Sequence, residues 1–119
     1  MKKKILLIDD DALVLKTLQN LLVRQSYDVV CAKNSDEALR ALAAEAFNLV
    51  VSDIRMPECD GIGLLKAIRA KGVQTPVLFI TGYASENAPI EAIKLGAKDY
   101  ILKPFNLDEL LESVKKNIA

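Results

Sequence analysis

The sequence holds no histidine and only two cysteines, Cys31 in an apolar run and Cys59 in a polar loop. Without an imidazole the two thiols cannot complete a typical zinc site, and a disulfide between them would need an oxidising compartment that nothing else in the chain indicates. Net charge is also absent. The 16 lysines and arginines balance 16 aspartates and glutamates, so no global field favours nucleic acid or an anionic membrane, and any important charge must be local. No apolar run approaches the roughly 20 residues of a bilayer crossing, and Met1-Lys2-Lys3-Lys4 leads into a short strand-like run without a cleavage-site pattern. These absences predict a soluble, cytoplasmic protein without direct contact to DNA or membrane.

What is there is an apolar half, 51% of 119 residues, enough for one globular domain over 1–119 that buries roughly two-thirds of its unfolded surface. Short β-branched or apolar runs alternate five times with stretches of helical periodicity. The expected strands are β1 at 4–8, β2 at 28–32, β3 at 49–52, β4 at 77–80 and β5 at 100–102. The expected helices are α1 at 12–24, α2 at 36–46, α3 at 62–70, α4 at 86–95 and α5 at 107–118. The strands are mostly apolar throughout instead of alternating, so both sheet faces should be covered. In α5, Leu107, Leu110, Leu111, Val114 and Ile118 fall along one helical face and read as core. Ser35 and Asn106 are placed as N-caps, the latter with Glu109 three residues on in capping-box fashion, while Gly72 and Gly96 follow helix ends. Strands separated by helices pair in parallel through right-handed crossovers. The fold class is therefore a doubly wound α/β sandwich.

In such a sheet ligands bind beyond the carboxyl ends of the strands, where strand order reverses. The residues at those ends are unusually polar: Asp9-Asp10-Asp11 after β1, Asp53 after β3, Thr81-Gly82 after β4 and Lys103-Pro104 after β5. Two carboxylates about 4 Å apart repel by on the order of 4 kcal/mol at an effective dielectric near 20, so Asp9, Asp10 and Asp53 need a cation or protons to share a site. Magnesium suits them, because it prefers one or two carboxylates, several waters and a phosphoryl oxygen. One carboxylate can then act as nucleophile towards phosphorus, with Lys103 as a neutralising ammonium and Thr81 as a hydroxyl donor. No side chain resembles a general base.

Plainer roles compete. Asp11 directly precedes α1 and reads better as its N-cap. Asp53 could belong to a turn with Pro57, Asp60 and Gly61. Lys103 alone would be a solvated lysine, Thr81 a strand-end hydroxyl and Tyr100 a half-buried aromatic. Their joint occurrence at four strand ends argues against coincidence.

The ordered set Asp9-Asp10, Asp53-Ile54-Arg55-Met56-Pro57 with Asp60-Gly61, Thr81-Gly82, and the run from Gly96 to Phe105 resembles the receiver domain of two-component response regulators over nearly the whole chain. The resemblance implies a flavodoxin-like (βα)5 fold with strand order 2-1-3-4-5, which the residues alone do not specify. It implies Asp53 as phosphoacceptor, magnesium held by Asp10 and Asp53 directly, by Asp9 through water and by the Arg55 carbonyl, and Thr81 and Lys103 on the acyl phosphate. It further implies a switch in which Thr81 moves and Tyr100 turns inward, altering the α4-β5-α5 face, and a cis peptide before Pro104. The partners implied are a sensor histidine kinase or histidine phosphotransfer protein and an output domain or effector, with a monomer or a phosphorylation-dependent dimer. The chain would be a switch and not an enzyme. Bulky Arg55 and Tyr83, two past Asp53 and Thr81, imply slow self-dephosphorylation.

Three alternatives are weaker. A haloacid-dehalogenase-type phosphohydrolase would use Asp9-x-Asp11, but leaves Asp53 unexplained in a short chain. A mononucleotide binder would have its phosphate repelled by three acids after β1. A degenerate receiver would have a broken acid site, and this one is intact.

Overall fold

A computed structural model describes residues 2–53, 61–81, 97–102 and 106–118, with the backbone alone for Ile62, Thr81 and Leu102. Five parallel strands form one sheet in the order β2-β1-β3-β4-β5, as the resemblance implies. They are β1 Lys4–Ile8, β2 Asp28–Ala32, β3 Leu49–Asp53, β4 Val77–Thr81 and β5 Asp99–Leu102. Four helices lie among the described residues: α1 Ala12–Arg24, α2 Ser35–Ala44, α3 Gly61–Ala70 and α5 Leu107–Asn117. The helix expected at 86–95 lies outside the described residues, as do Gly96 and Cys59.

The mostly apolar strands bury side chains on both faces of the sheet, and each face has its own core. Leu6, Ile8, Val50 and Phe79 pack with Ala38 of α2 and with Leu64, Leu65 and Ile68 of α3. Ile5, Leu7, Leu49, Val51 and Leu78 pack with Leu15, Leu18 and Leu22 of α1 and with Leu110 and Val114 of α5. The i, i+2 alternation of a strand sends neighbouring residues to opposite cores, so an unbroken apolar run is what a two-sided sheet requires. The α5 stripe is core at Leu110 and Val114, whereas Leu107 is 50% exposed in the first turn.

Boundary chemistry accounts for the shifts from expectation. Asn34, not Ser35, caps α2: its Oδ1 accepts the Glu37 amide at 2.9 Å, and Glu37 in turn accepts the Lys33 amide at 3.0 Å. The helix therefore starts one residue early and closes at Ala44. Asn106 caps α5 as expected, its Oδ1 accepting the Glu109 amide, while Glu109 Oε1 accepts the Asn106 side-chain Nδ2 where a capping box would use the backbone amide. Asp11 caps α1 through the amides of Leu13 and Val14. β3 extends to Asp53 because that residue still pairs with Ile80.

Candidate functional site

β1 lies between β2 and β3, so the chain reverses its winding direction there and leaves a crevice at the carboxyl ends of β1 and β3. Register then decides which side chains meet in it. Ile8 is level with Ser52, which sets the next residues, Asp9 and Asp53, side by side. Carboxylate oxygens of Asp9, Asp10 and Asp53 all lie within 4.8 Å of one another.

The three acids are not equivalent. Asp9 is 6% exposed, its amide donates to the Ala32 carbonyl of β2 at 3.2 Å, and its Oδ1 accepts the Asp11 amide at 2.9 Å. Asp9 is thereby fastened to both the sheet and the entry of α1. Asp10 is exposed and Asp53 half-buried. Asp11 is turned to its cap and stands outside the trio, as its position before α1 predicts.

An all-oxygen set of three carboxylates at this spacing fits a hard divalent cation, whose charge offsets the mutual repulsion. The set leaves room in its chemistry for water and phosphoryl oxygen, which is the preference of magnesium over a closed protein cage. The donor set is therefore compatible with the magnesium expected from the sequence.

β4 ends at Thr81, level with Leu102 of β5, so Thr81 belongs to the same sheet edge by its backbone. Arg55, Gly82, Tyr83, Lys103 and Pro104, with the cis peptide expected there, lie outside the described residues. Tyr100 is 37% exposed and lines an open groove of about 1100 Å³ between β5 and α5, with Asp99, Glu109, Glu112, Lys115 and Lys116. Its amide donates to Asp99 Oδ1 at 2.8 Å.

One contact at the site has no counterpart in the sequence reading. Ser52, fully buried in β3, donates its hydroxyl to the Asp53 carbonyl at 2.9 Å. The only signal was a hydroxyl in an otherwise apolar strand. Cys31 is a free, half-buried cysteine on β2, and no described helix is long and apolar enough to cross a membrane.

Comparison with known proteins gives the same picture. Residues 5–115 match the response regulator receiver domain model. The regulatory protein AtoC of Escherichia coli K12 is 40% identical over 97% of this chain, which spans about a quarter of that protein's length, 27%. The Vibrio cholerae chemotaxis protein CheY4 superposes with a TM-score of 0.93 at 28% identity, covering 99% of this chain and 100% of its own. The response regulator TrrA of Thermotoga maritima, solved in complex with Mg2+ and BeF, superposes with a TM-score of 0.85 at 32% identity, covering 96% of this chain and 97% of its own.

Proposed function

Given that the chain belongs to the response regulator receiver domain family, we propose that it is a phosphoacceptor switch of a two-component system, taking a phosphoryl group onto Asp53 in a magnesium-dependent reaction. The observation that carries this is the convergence of the Asp9, Asp10 and Asp53 carboxylates within 4.8 Å at the sheet edge. Receiver domains are signalling switches and not enzymes in the usual sense. Asp10 and Asp53 would hold magnesium directly, the Arg55 carbonyl would complete the protein's share, and Asp9 would act through water. The part given to Asp9 is supported by its burial and by the Asp11 amide already seated on its Oδ1. The similarity to TrrA, itself solved with Mg2+ and BeF, supports the metal.

When bound, the ion supplies positive charge against the phosphoryl oxygens and relieves the acid trio. An Oδ of Asp53 attacks phosphorus in line, the P–N bond to the donor's phosphohistidine breaks, and its electron pair leaves with the imidazole. Lys103 neutralises charge on the transferring group, and Thr81 donates its hydroxyl to a phosphoryl oxygen. No general base is needed, because Asp53 reacts as the carboxylate. The product differs from the starting state in charge and in donors at the sheet edge. Thr81 and Lys103 favour the arrangement that contacts the phosphoryl group, and Tyr100 turns inward from its surface position, changing the α4-β5-α5 face. A differently shaped face then meets an output domain or effector, or a second copy. The reading places the protein in the cytoplasm, with a sensor histidine kinase or phosphotransfer protein as donor. Bulky Arg55 and Tyr83 would screen the acyl phosphate from water and slow its loss.

The phosphohydrolase alternative is disfavoured because Asp11, the second acid of Asp9-x-Asp11, is committed to capping α1. The test is incubation with magnesium and acetyl phosphate followed by intact-mass measurement. One added phosphoryl group on the parent and none on Asp53→Asn is expected; equal labelling of both, or none of either, would defeat the reading.

A further inference from the structure

Asp53 is the last residue of β3, the point where the regular ladder stops constraining the chain. Its carbonyl belongs to the peptide by which the chain leaves the strand, so the orientation of that carbonyl fixes the backbone from which the Asp53 carboxylate is presented. Next to it, Ser52 is fully buried, one of three buried polar residues among the described ones, with Asp9 and Asn117. Val50, two residues earlier in the strand, and Phe79, the cross-strand partner of Ser52 on β4, belong to the apolar core between the sheet and α2 and α3. A hydroxyl in such a place costs stability unless it is hydrogen-bonded. The hydroxyl donates to the Asp53 carbonyl at 2.9 Å, that is, to the peptide leaving the strand.

We propose that Ser52 is a positioning residue of the phosphoacceptor site: its hydroxyl holds the Asp53 carbonyl and so fixes the backbone from which the Asp53 carboxylate is presented to the cation beside Asp9 and Asp10. This inference rests on the magnesium-dependent reading above. It assigns Ser52 no contact with the ion or the phosphoryl group; the effect passes through the Asp53 backbone.

The experiment is a magnesium titration without phosphodonor, followed by amide NMR shifts near Asp9 and Asp53, on the parent, Ser52→Ala and Ser52→Cys. Metal-free melting temperatures are recorded alongside. The expected result is a magnesium dissociation constant raised about three- to tenfold in both variants, the scale of one neutral hydrogen bond, with acetyl phosphate labelling slowed in parallel. Parental affinity in Ser52→Ala overturns the proposal. So does a weakening that Ser52→Cys does not share, because cysteine keeps the volume and donates poorly, and such a difference would be packing. If the parent itself shows no magnesium-dependent shift, the phosphoacceptor reading fails instead, and the two failures are told apart.

Discussion

Ser26 and Gly72 stand at the same point of two different helix ends, each the left-handed residue just past its helix, at φ 70° and 80°. After α1 the Ser26 amide bonds the Val23 carbonyl and the Tyr27 amide reaches back to Leu22. After α3 the Gly72 amide bonds Arg69 and the Val73 amide reaches Ile68. Both are the paired termination that satisfies carbonyls a helix would leave bare. Only glycine adopts this conformation without a Cβ penalty. Ser26→Gly is therefore expected to stabilise the domain by about 0.5 kcal/mol, the relief of strain exceeding the added chain entropy. A Cβ at Gly72 would meet nothing within 4 Å, so Gly72→Ala should lose about 1 kcal/mol for conformation alone. Thermal melts should show a rise of roughly 2 °C and a fall of roughly 4 °C respectively.

The acid trio makes metal dependence a stability measurement as well as a chemical one. Without a cation, Asp9, Asp10 and Asp53 repel one another across less than 5 Å, tempered by the exposure of Asp10. Asp10→Asn should raise the metal-free melting temperature, by about 1 kcal/mol in stability after solvent screening. Millimolar magnesium should raise the parent's melting temperature and a chelator should reverse it, whereas Asp53→Asn should respond weakly. A parent indifferent to both treatments would show that the trio holds no divalent ion.

Most of this was legible because it follows from charge and periodicity. β1, α1 and β2 fall where the apolar runs place them, and the acids announce themselves by ending apolar strands. What escaped depends on competition between neighbours of similar type. Asn34 and Ser35 are both good caps, and the Glu37 amide settles the choice for Asn34. Leu107 continues the α5 stripe on paper, yet at the first turn it lies beyond the layer that Leu110 and Val114 fill. Strand order came from the family resemblance, since apolar parallel strands carry little mark of which neighbour they take. Ser26 gave no signal and Ser52 only that of a hydroxyl among apolar residues, because a left-handed turn and a buried hydroxyl bond are properties of the backbone they serve.

Alkaline pH should weaken the fold in two stages. Burial pushes the Cys31 thiol above its ordinary 9.0. The hydrogen bond to Glu45 holds the Lys4 ammonium above 10.5, against a smaller opposing effect of desolvation. A raised folded value means the native state binds the proton more tightly. Its contribution is complete below the unfolded value and is lost as pH rises through the folded one. Melting temperature should thus begin to fall above about pH 9 and continue falling past 10.5. Cys31→Ala should flatten the first stage and Glu45→Gln the second, in melts taken from pH 8 to 11. At pH 8 Cys31 should also react with iodoacetamide more slowly in the folded chain than in the urea-unfolded one.

The far end of α5 carries a buried amide whose replacement tests electrostatics away from the acid trio. Asn117 is 7% exposed; its Nδ2 donates to the Ser113 carbonyl at 2.8 Å and reaches Asp99 Oδ2 at 3.4 Å. Asp99 in turn accepts the Tyr100 amide, so one carboxylate joins the end of α5 to the start of β5. Asn117→Asp would exchange the donor for a second carboxylate in a buried place. At neutral pH that should cost about 2–4 kcal/mol, from lost hydrogen bonds and like-charge repulsion. The new carboxyl should titrate above the ordinary carboxylate range, since both burial and Asp99 disfavour its charge. A raised folded value makes the deficit shrink as pH falls towards 4. Asn117→Leu, which brings no charge, should show a smaller deficit of about 1–2 kcal/mol that does not shrink in this way. Urea unfolding of the parent and both variants at pH 7.5 and pH 4.5 checks the difference, and an equal deficit for Asn117→Asp at the two values would assign it to packing.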